Sequence, residues 1–166
     1  MTIRFATQQD IDTLIEYWRQ FHSQSVFRHL AFDEAKLATN MTRFIEDKSG
    51  AFCCFVADGE DGKAYGVLAG QIDTYYFSDD PIAKLIFYWV HPEHRYGPAA
   101  VKLMLAFRQW AENRRAAEIM VGVTSGEAVE LADRMLTKMG FRFTGGNYFA
   151  VLGGKGRTAG GPARES

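Results

Sequence analysis

Val90-His91-Pro92-Glu93-His94-Arg95-Tyr96-Gly97-Pro98-Ala99-Ala100 decides how this chain is built. The apolar run Leu85-Ile86-Phe87-Tyr88-Trp89-Val90 leads into it, and its length and aromatic content predict a strand covered on both faces. Gly97 tolerates unusual backbone angles. Pro98 suits the first helical position, which needs no N–H. Beyond it, Ala100, Leu103, Met104, Phe107, Trp110 and Ala111 share one helical face, with Lys102, Gln109, Glu112 and Asn113 mostly opposite. Ile119-Met120-Val121-Gly122-Val123 predicts a further strand, so strand, helix and strand form a βαβ unit with parallel strands. Free N–H groups at such a helix start, reinforced by the helix dipole, bind phosphate-sized anions, and Arg95 would add charge beside them. By itself the segment reads equally well as an ordinary strand–loop–helix joint, because short motifs match by chance.

Upstream, Ile3 to Ala6 predicts a first strand. Thr7-x-x-Asp10 resembles a capping box, and Ile11, Leu14, Ile15, Trp18 and Phe21 follow on one helical face. Asp33 is the N-cap candidate of a second helix carrying Leu37, Met41, Phe44 and Ile45. Ala51 to Ala57 and Ala64 to Ile72 predict a hairpin around the turn Asp58-Gly59-Glu60-Asp61-Gly62, and Ser78-Asp79-Asp80-Pro81 predicts a break before the apolar run. Downstream, Thr124-x-x-Glu127 is a second capping-box candidate, for a helix burying Ala128, Leu131, Met135 and Met139 and ending at Gly140. Phe141 to Phe143 and Tyr148 to Leu152 predict a last hairpin through Gly145-Gly146-Asn147. The pattern is α/β, one mixed central sheet with helices packed on it. One domain over residues 1–152 is expected, with a Gly-rich tail at 153–166 that cannot bury enough to order itself.

Composition narrows the partners. The chain has 166 residues, 47% hydrophobic and 23% charged, the range of a globular domain. A formal net charge of −1 gives no global attraction to nucleic acid or anionic membrane. No apolar run approaches the ~20 residues of a membrane span, and Met1 to Phe5 shows no leader-like apolar region. Cys53 and Cys54 are strand neighbours pointing to opposite faces, so a disulfide between them would be strained. These features together lead us to expect a cytoplasmic protein.

Several stretches resemble the GNAT N-acyltransferases. Val90-x-Pro92-Glu93 with Arg95-x-x-Pro98-x-Ala100 resembles that family's Val-x-Pro-Glu and Arg/Gln-x-x-Gly-x-Gly/Ala loop. Lys138-Met139-Gly140-Phe141 is similar to its Lys-Leu-Gly-Phe, and Ile3-Arg4-x-Ala6-Thr7-x-x-Asp10 to its opening strand and helix start. The match runs over residues 2–152 and is closest to variants with a degenerate loop followed by Ala-Ala, of bacterial or phage type. The resemblance implies a splayed mixed sheet (α+β in some schemes) of about 6–7 strands with about four helices. It implies acetyl-CoA as acyl donor and direct attack by a primary amine in a ternary complex. Main-chain N–H groups over Tyr96, Gly97, Pro98, Ala99, Ala100 and Val101 would cradle the diphosphate. The strand end Trp89-Val90 would pair with the pantetheine arm and polarise the thioester carbonyl. Pro98 stands where the family has glycine and removes one donor, which Gly97 would offset. A homodimer is left open.

Catalytic side chains are less legible. Direct attack needs a base for the ammonium and an acid for the thiolate. The family's tyrosine acid maps to Leu136 and its glutamate base to Lys84, so neither role carries over. Substitutes are Tyr148 as acid and Asp73 as base, with Asp79 and Asp80 nearby; their plain readings are a packing aromatic and turn chemistry. Ser125 is a cofactor-contact candidate and, equally, an N-cap. His91 is a candidate base because its pKa lies near neutrality, or a solvated loop histidine. His91 and His94 lie three apart with no third ligand in view, so no metal is expected. Tyr75-Tyr76-Phe77 suggests a pocket wall or dimer surface, whereas Phe87 and Trp18 suggest core. The rivals are a non-catalytic acyl-CoA-binding protein and a structural or regulatory protein keeping the fold. A dinucleotide oxidoreductase lacks Gly-x-Gly-x-x-Gly after the first strand.

Overall fold

In the computed structural model, which describes residues 1–126 and 128–152, five strands form one sheet in chain order. They are β1 (Thr2–Phe5), β2 (Phe52–Asp58), β3 (Ala64–Tyr75), β4 (Ser78–Val90) and β5 (Glu118–Met120). The first three pairings are antiparallel and β4 with β5 is parallel. The α-helices are α1 (Ile11–Gln24), α2 (Glu34–Glu46), α3 (Pro98–Asn113) and α4 (Val129–Lys138). The expected mixed sheet and the parallel connection through α3 are present. The expected 6–7 strands are not: the described residues hold five. The chain divides into two compact units, one of residues 1–21 and 33–122, the other of residues 22–32 with the described residues from 123 on.

The first unit holds the whole sheet, which has two covered faces. On one, Cys54, Val56, Val67, Ala69, Phe87 and Trp89 cluster with Leu14, Tyr17 and Met41 of the first two helices. Trp18 stacks on Phe87 at 3.9 Å between ring centroids, and Phe21 meets both Phe87 and Trp89 edge-on. Both Trp18 and Phe87 are core residues, as their apolar spacing predicts. On the other face α3 buries Leu103, Met104, Phe107, Trp110 and Ala111. Burying a side chain the size of Leu103, Met104 or Phe107 stabilises by about 1.5–3 kcal/mol. Glycine on β3 lets them approach: a Cβ on Gly70 would overlap the Phe107 ring, and one on Gly66 would lie 3.2 Å from Leu103.

Local signals explain several boundaries. The Thr7 N–H donates to the Asp10 carboxylate at 2.7 Å, as the capping pattern predicts, over a 3-10 turn that precedes α1. The Arg4 guanidinium forks onto the same carboxylate and also reaches Asp58, tying β1 to β2 and to the start of α1. Asp33 caps α2 by accepting from the Lys36 N–H at 2.9 Å. Cys53 and Cys54 are buried free thiols whose pKa burial pushes up to about 12.

Two expectations fail on the strands. The break at Ser78–Pro81 lies inside a strand: Tyr76-Phe77 makes the turn and β4 starts at Ser78. Between the pairs Asp73↔Ile82 and Tyr75↔Ser78, one residue of β3 faces three of β4. Asp79-Asp80-Pro81 is therefore taken up in a bulge, where a proline without an N–H costs no ladder bond. The last hairpin does not form: residues 141–152 carry no helix or strand, and Phe143, Tyr148, Phe149, Val151 and Leu152 are exposed. Isolated two-stranded hairpins are marginal, and this one would hinge on a Gly-Gly pair. Likewise the strand expected over Ile119–Val123 shortens to Glu118–Met120.

In the second unit α4 buries Leu136, while Leu131, Met135 and Met139 are half-covered and Ala128, outside the helix, is exposed in a left-handed conformation. Its expected cap partner Glu127 and the tail from 153 lie outside the described residues. Its C-terminus follows the predicted glycine stop. Gly140 has φ +86°, its N–H donates to the Thr137 carbonyl and that of Phe141 to the Leu136 carbonyl, a Schellman closure.

Candidate functional site

β4 is paired unequally along its length. On the β5 side Ile82, Ala83 and Lys84 stand opposite Glu118, Ile119 and Met120, and the Pro81 carbonyl accepts from the Ala117 N–H. From Leu85 to Val90 no strand pairs with that edge among the described residues, and at its end the Val90 carbonyl accepts from Arg95 Nε. The divergence coincides with a bulge at Ile86, where the β3 register passes from Ala69↔Phe87 to Gly70↔Leu85. A bulge bends and twists the strand that carries it, which turns the two parallel strands apart. The open edge offers main-chain N–H and C=O groups to an extended ligand, as an unpaired strand edge does.

The open stretch runs directly into the start of α3. A 3-10 turn over Pro92–His94 is closed by the His94 N–H donating to the His91 carbonyl at 2.8 Å, and the Gly97 N–H donates to the His94 carbonyl at 3.0 Å. Gly97 is the N-cap and Pro98 the first helical residue, and no side chain caps the helix. With Gly97 bonded and Pro98 lacking an N–H, the groups left without an intrahelical acceptor are those of Ala99 and Ala100. Of the span from Tyr96 to Val101 named by the resemblance, these two are the helix-start N–H groups without a partner in the helix. Gly97 is also not there for an unusual conformation: its φ of −89° suits any residue. What limits a side chain is the His94 carbonyl oxygen, 3.2 Å from where a Cβ would stand.

Arg95 does not stand free beside the helix start. Its guanidinium lies over the Trp89 ring at 4.7 Å, and its Nε donates to the Val90 carbonyl at 3.2 Å. It locks the strand end to the turn. Trp89 and Val90 are buried, Ala99 is almost fully buried, Ala100 is partly covered, and Tyr96 and Val101 are exposed. A cavity of about 280 Å³ lies beside the helix start, lined by Met1, Glu60, Tyr65, His94, Gly97, Pro98 and Ala99. Tyr65 stacks on His94 with centroids 3.5 Å apart. Among the residues brought together here are thus Trp89, Val90, Arg95, Tyr96, Gly97, Pro98, Ala99, Ala100 and Val101.

The other candidates stand elsewhere. Asp73 pairs with Ile82 across the hairpin, eight residues along β4 from Val90, on the order of 25 Å at ~3.3 Å per residue. Its carboxylate accepts from Lys84 Nζ at 2.7 Å and from the Thr74 N–H at 2.8 Å. The Lys84 bond, more than any other cause, holds its pKa below the ordinary carboxylate value. Such a group is ionised but a weak proton acceptor at neutral pH. Asp79 and Asp80 are exposed in the bulge, where Asp80 accepts from the Ser78 hydroxyl. Tyr76 and Phe77 are exposed at the hairpin tip. Ser125 and Tyr148 belong to the second unit: the Ser125 carbonyl accepts from the Val26 N–H, and Tyr148 is fully exposed.

Two features escape the sequence. Tyr88 lies on the open stretch of β4, and burial raises its phenol pKa, so it keeps its proton at neutral pH. An apolar run hides such a residue as packing. Glu93 supplies the third donor beside His91 and His94, which their spacing alone does not disclose.

A model of the acetyltransferase (GNAT) family matches residues 11–141. The chain belongs to that family. A search of curated protein sequences finds no match. Solved structures share the GNAT fold over nearly the whole chain. A tetramutant of the BH1408 protein of Bacillus halodurans is 16% identical, covers 92% of this chain and 100% of its own, and has a TM-score of 0.75. The aminoglycoside antibiotic 6'-N-acetyltransferase AAC(6')-IG of Acinetobacter haemolyticus is 17% identical, covers 92% and 99%, and scores 0.68. AAC(6')-Iy, solved in complex with the bisubstrate analogue CoA-S-monomethyl-acetylneamine, is 19% identical, covers 91% and 97%, and scores 0.67. At these identities the likeness is one of fold. No helix among the described residues is long and apolar enough to cross a membrane.

Proposed function

We propose that this GNAT protein transfers an acetyl group from acetyl-CoA to a primary amine by direct attack in a ternary complex. One observation carries the reading. A β4 edge left open from Leu85 to Val90 leads within a few residues into a 16-residue helix whose first free N–H groups, on Ala99 and Ala100, have no side-chain cap. An anionic diphosphate suits that helix start, and an extended pantetheine arm suits the open edge. The thioester carbonyl would then accept from β4 main chain, which lowers the cost of charge on its oxygen during attack. The family match supports acetyl as the group transferred, and the bisubstrate complex of AAC(6')-Iy supports CoA as its carrier.

The departing thiolate needs a proton. Tyr88 is the phenol that the donor strand itself presents, and Tyr148 is its rival from the second unit. Asp73, engaged by Lys84, is a poor base, and the attacking amine loses its proton to water or to a group of the acceptor site. In this reading the protein works in the cytoplasm, and the transfer needs no resident metal.

Calorimetric titration of the full chain with CoA and acetyl-CoA, followed by free-thiol release in the presence of an amine library, tests the proposal. Saturable binding with amine-dependent thiol release supports an enzyme. Binding without release makes it a non-catalytic acyl-CoA-binding protein. Folded protein that ignores both CoA species at millimolar concentration overturns the donor site.

A further inference from the structure

We propose that the turn leading into α3 is a binding site for a divalent transition metal of the zinc class, held by His91, Glu93 and His94. The site is independent of the acyl-transfer reading and uses side chains that reading leaves idle. One donor atom from each of the three residues lies within 4.8 Å of the other two. Two imidazoles and a carboxylate are the donor set that suits zinc, cobalt or nickel, whereas magnesium and calcium prefer an all-oxygen shell.

A second observation points to a ligand. His91 Nδ1 is shielded from water and has no hydrogen-bond partner among the described residues. A Glu93 carboxylate oxygen stands 3.9 Å from it. That is beyond hydrogen-bond range. It is close to the separation of two ligands that share one ion, each at about 2.0–2.2 Å. An orphaned buried imidazole nitrogen costs free energy that a metal bond recovers.

The scaffold is already tied. The His91 N–H donates to the Tyr65 carbonyl at 2.9 Å and the His94 N–H to the His91 carbonyl at 2.8 Å. Pro92 opens the turn, and the His94 ring rests on Tyr65. The donor-bearing backbone is thus held by hydrogen bonds and stacking before any ion arrives, which cuts the ordering cost of binding. Closing the three donors on one ion needs movement of side chains, and Glu93, 80% exposed, is free to make it. Three protein ligands leave one position of a tetrahedral ion to water. Occupancy would pin the turn that delivers Gly97 and Pro98 to the helix start.

Titration of the full chain with Co2+, followed by visible absorption, and thermal melts with Zn2+ decide the matter. Uptake of about one Co2+ per chain with tetrahedral-type absorption is expected. Zn2+ at about 100 times its Kd should raise Tm by about 8 °C. His91→Ala and His94→Ala should each abolish the Co2+ spectrum. Glu93→Gln, at an exposed position and without risk to folding, should weaken binding by about tenfold or more. A His22→Ala/His29→Ala double variant, which removes the other histidines, should bind as the wild type does. The site is refuted by a wild type that takes up no Co2+. It is equally refuted if Glu93→Gln binds with unchanged affinity and spectrum, or if the His22/His29 variant is the one that loses binding.

Discussion

The two ends of β4 obey different rules. At Ile82–Lys84 the strand has neighbours on both sides, a lysine neutralised by Asp73, and a further tie from the Tyr75 hydroxyl to Glu118. At Leu85–Val90 it has β3 on one side and an open edge on the other, followed by an uncapped helix. The first arrangement satisfies its own polar groups and has nothing left to offer. The second keeps main-chain groups unspent, and unspent groups are what a ligand can use. At the closed end the charged side chains are engaged with one another, whereas the helix start at the open end, Gly97-Pro98-Ala99-Ala100, offers main-chain groups and no charged side chain of its own.

The largest way to break the contrast is to deny α3 its place. Gly70→Val drives a side chain into Phe107. It should destabilise the protein by about 3 kcal/mol, read as a lower midpoint in urea with unchanged slope. A smaller loss should follow from Gly97→Trp, which crowds the helix start near the His94 carbonyl. CoA affinity should fall at least about 100-fold, or about 2.7 kcal/mol, with Tm little changed; retained affinity would place the diphosphate elsewhere. Next comes Tyr88→Phe, expected to cost about tenfold in kcat, equivalent to ~1.4 kcal/mol, at constant CoA affinity. If Tyr148→Phe shows that loss instead, the proton comes from the second unit.

The closed end should barely register. Asp73→Asn should leave kcat/KM within about twofold of wild type, a change of under ~0.5 kcal/mol. Its Lys84 partner does give the end a pH signature. Because the folded carboxyl titrates below its unfolded value of about 3.9, the pair's contribution is fully present above that pH and is lost as pH falls through the folded pKa. Acid unfolding curves of the wild type and of Asp73→Asn should therefore converge as pH falls through the folded pKa of Asp73, below its ordinary value. A separate check concerns the core: with both thiols pushed up to about 12 by burial, Cys53 and Cys54 should resist thiol reagents until the protein is unfolded.

Several elements were legible because their causes are local. Thr7 and Asp10, Asp33, Pro98 and Gly140 mark helix ends through their own hydrogen bonds or backbone angles, and α3 declares its buried face by spacing. Ser78–Pro81 misled because turn chemistry and a bulge use the same residues; the register across the hairpin decides between them. Phe141–Leu152 misled because alternation states which face is apolar and says nothing of whether a partner strand is present. The spacing of His91 and His94 does not disclose Glu93 beside them, because the distance between its carboxylate and two imidazoles depends on how tightly one turn closes.

What the sequence determined by itself is the set of elements, their buried faces and the family, since periodicity, capping and short motifs are written in neighbouring residues. What the tertiary structure decided is where polar groups are left unspent. Whether a strand edge is paired depends on partners tens of residues away, and whether a turn brings its donors together depends on how it closes, so the unpaired edge of β4, the uncapped N–H groups of Ala99 and Ala100, and the gap between His91 and Glu93 appear only once the chain is folded.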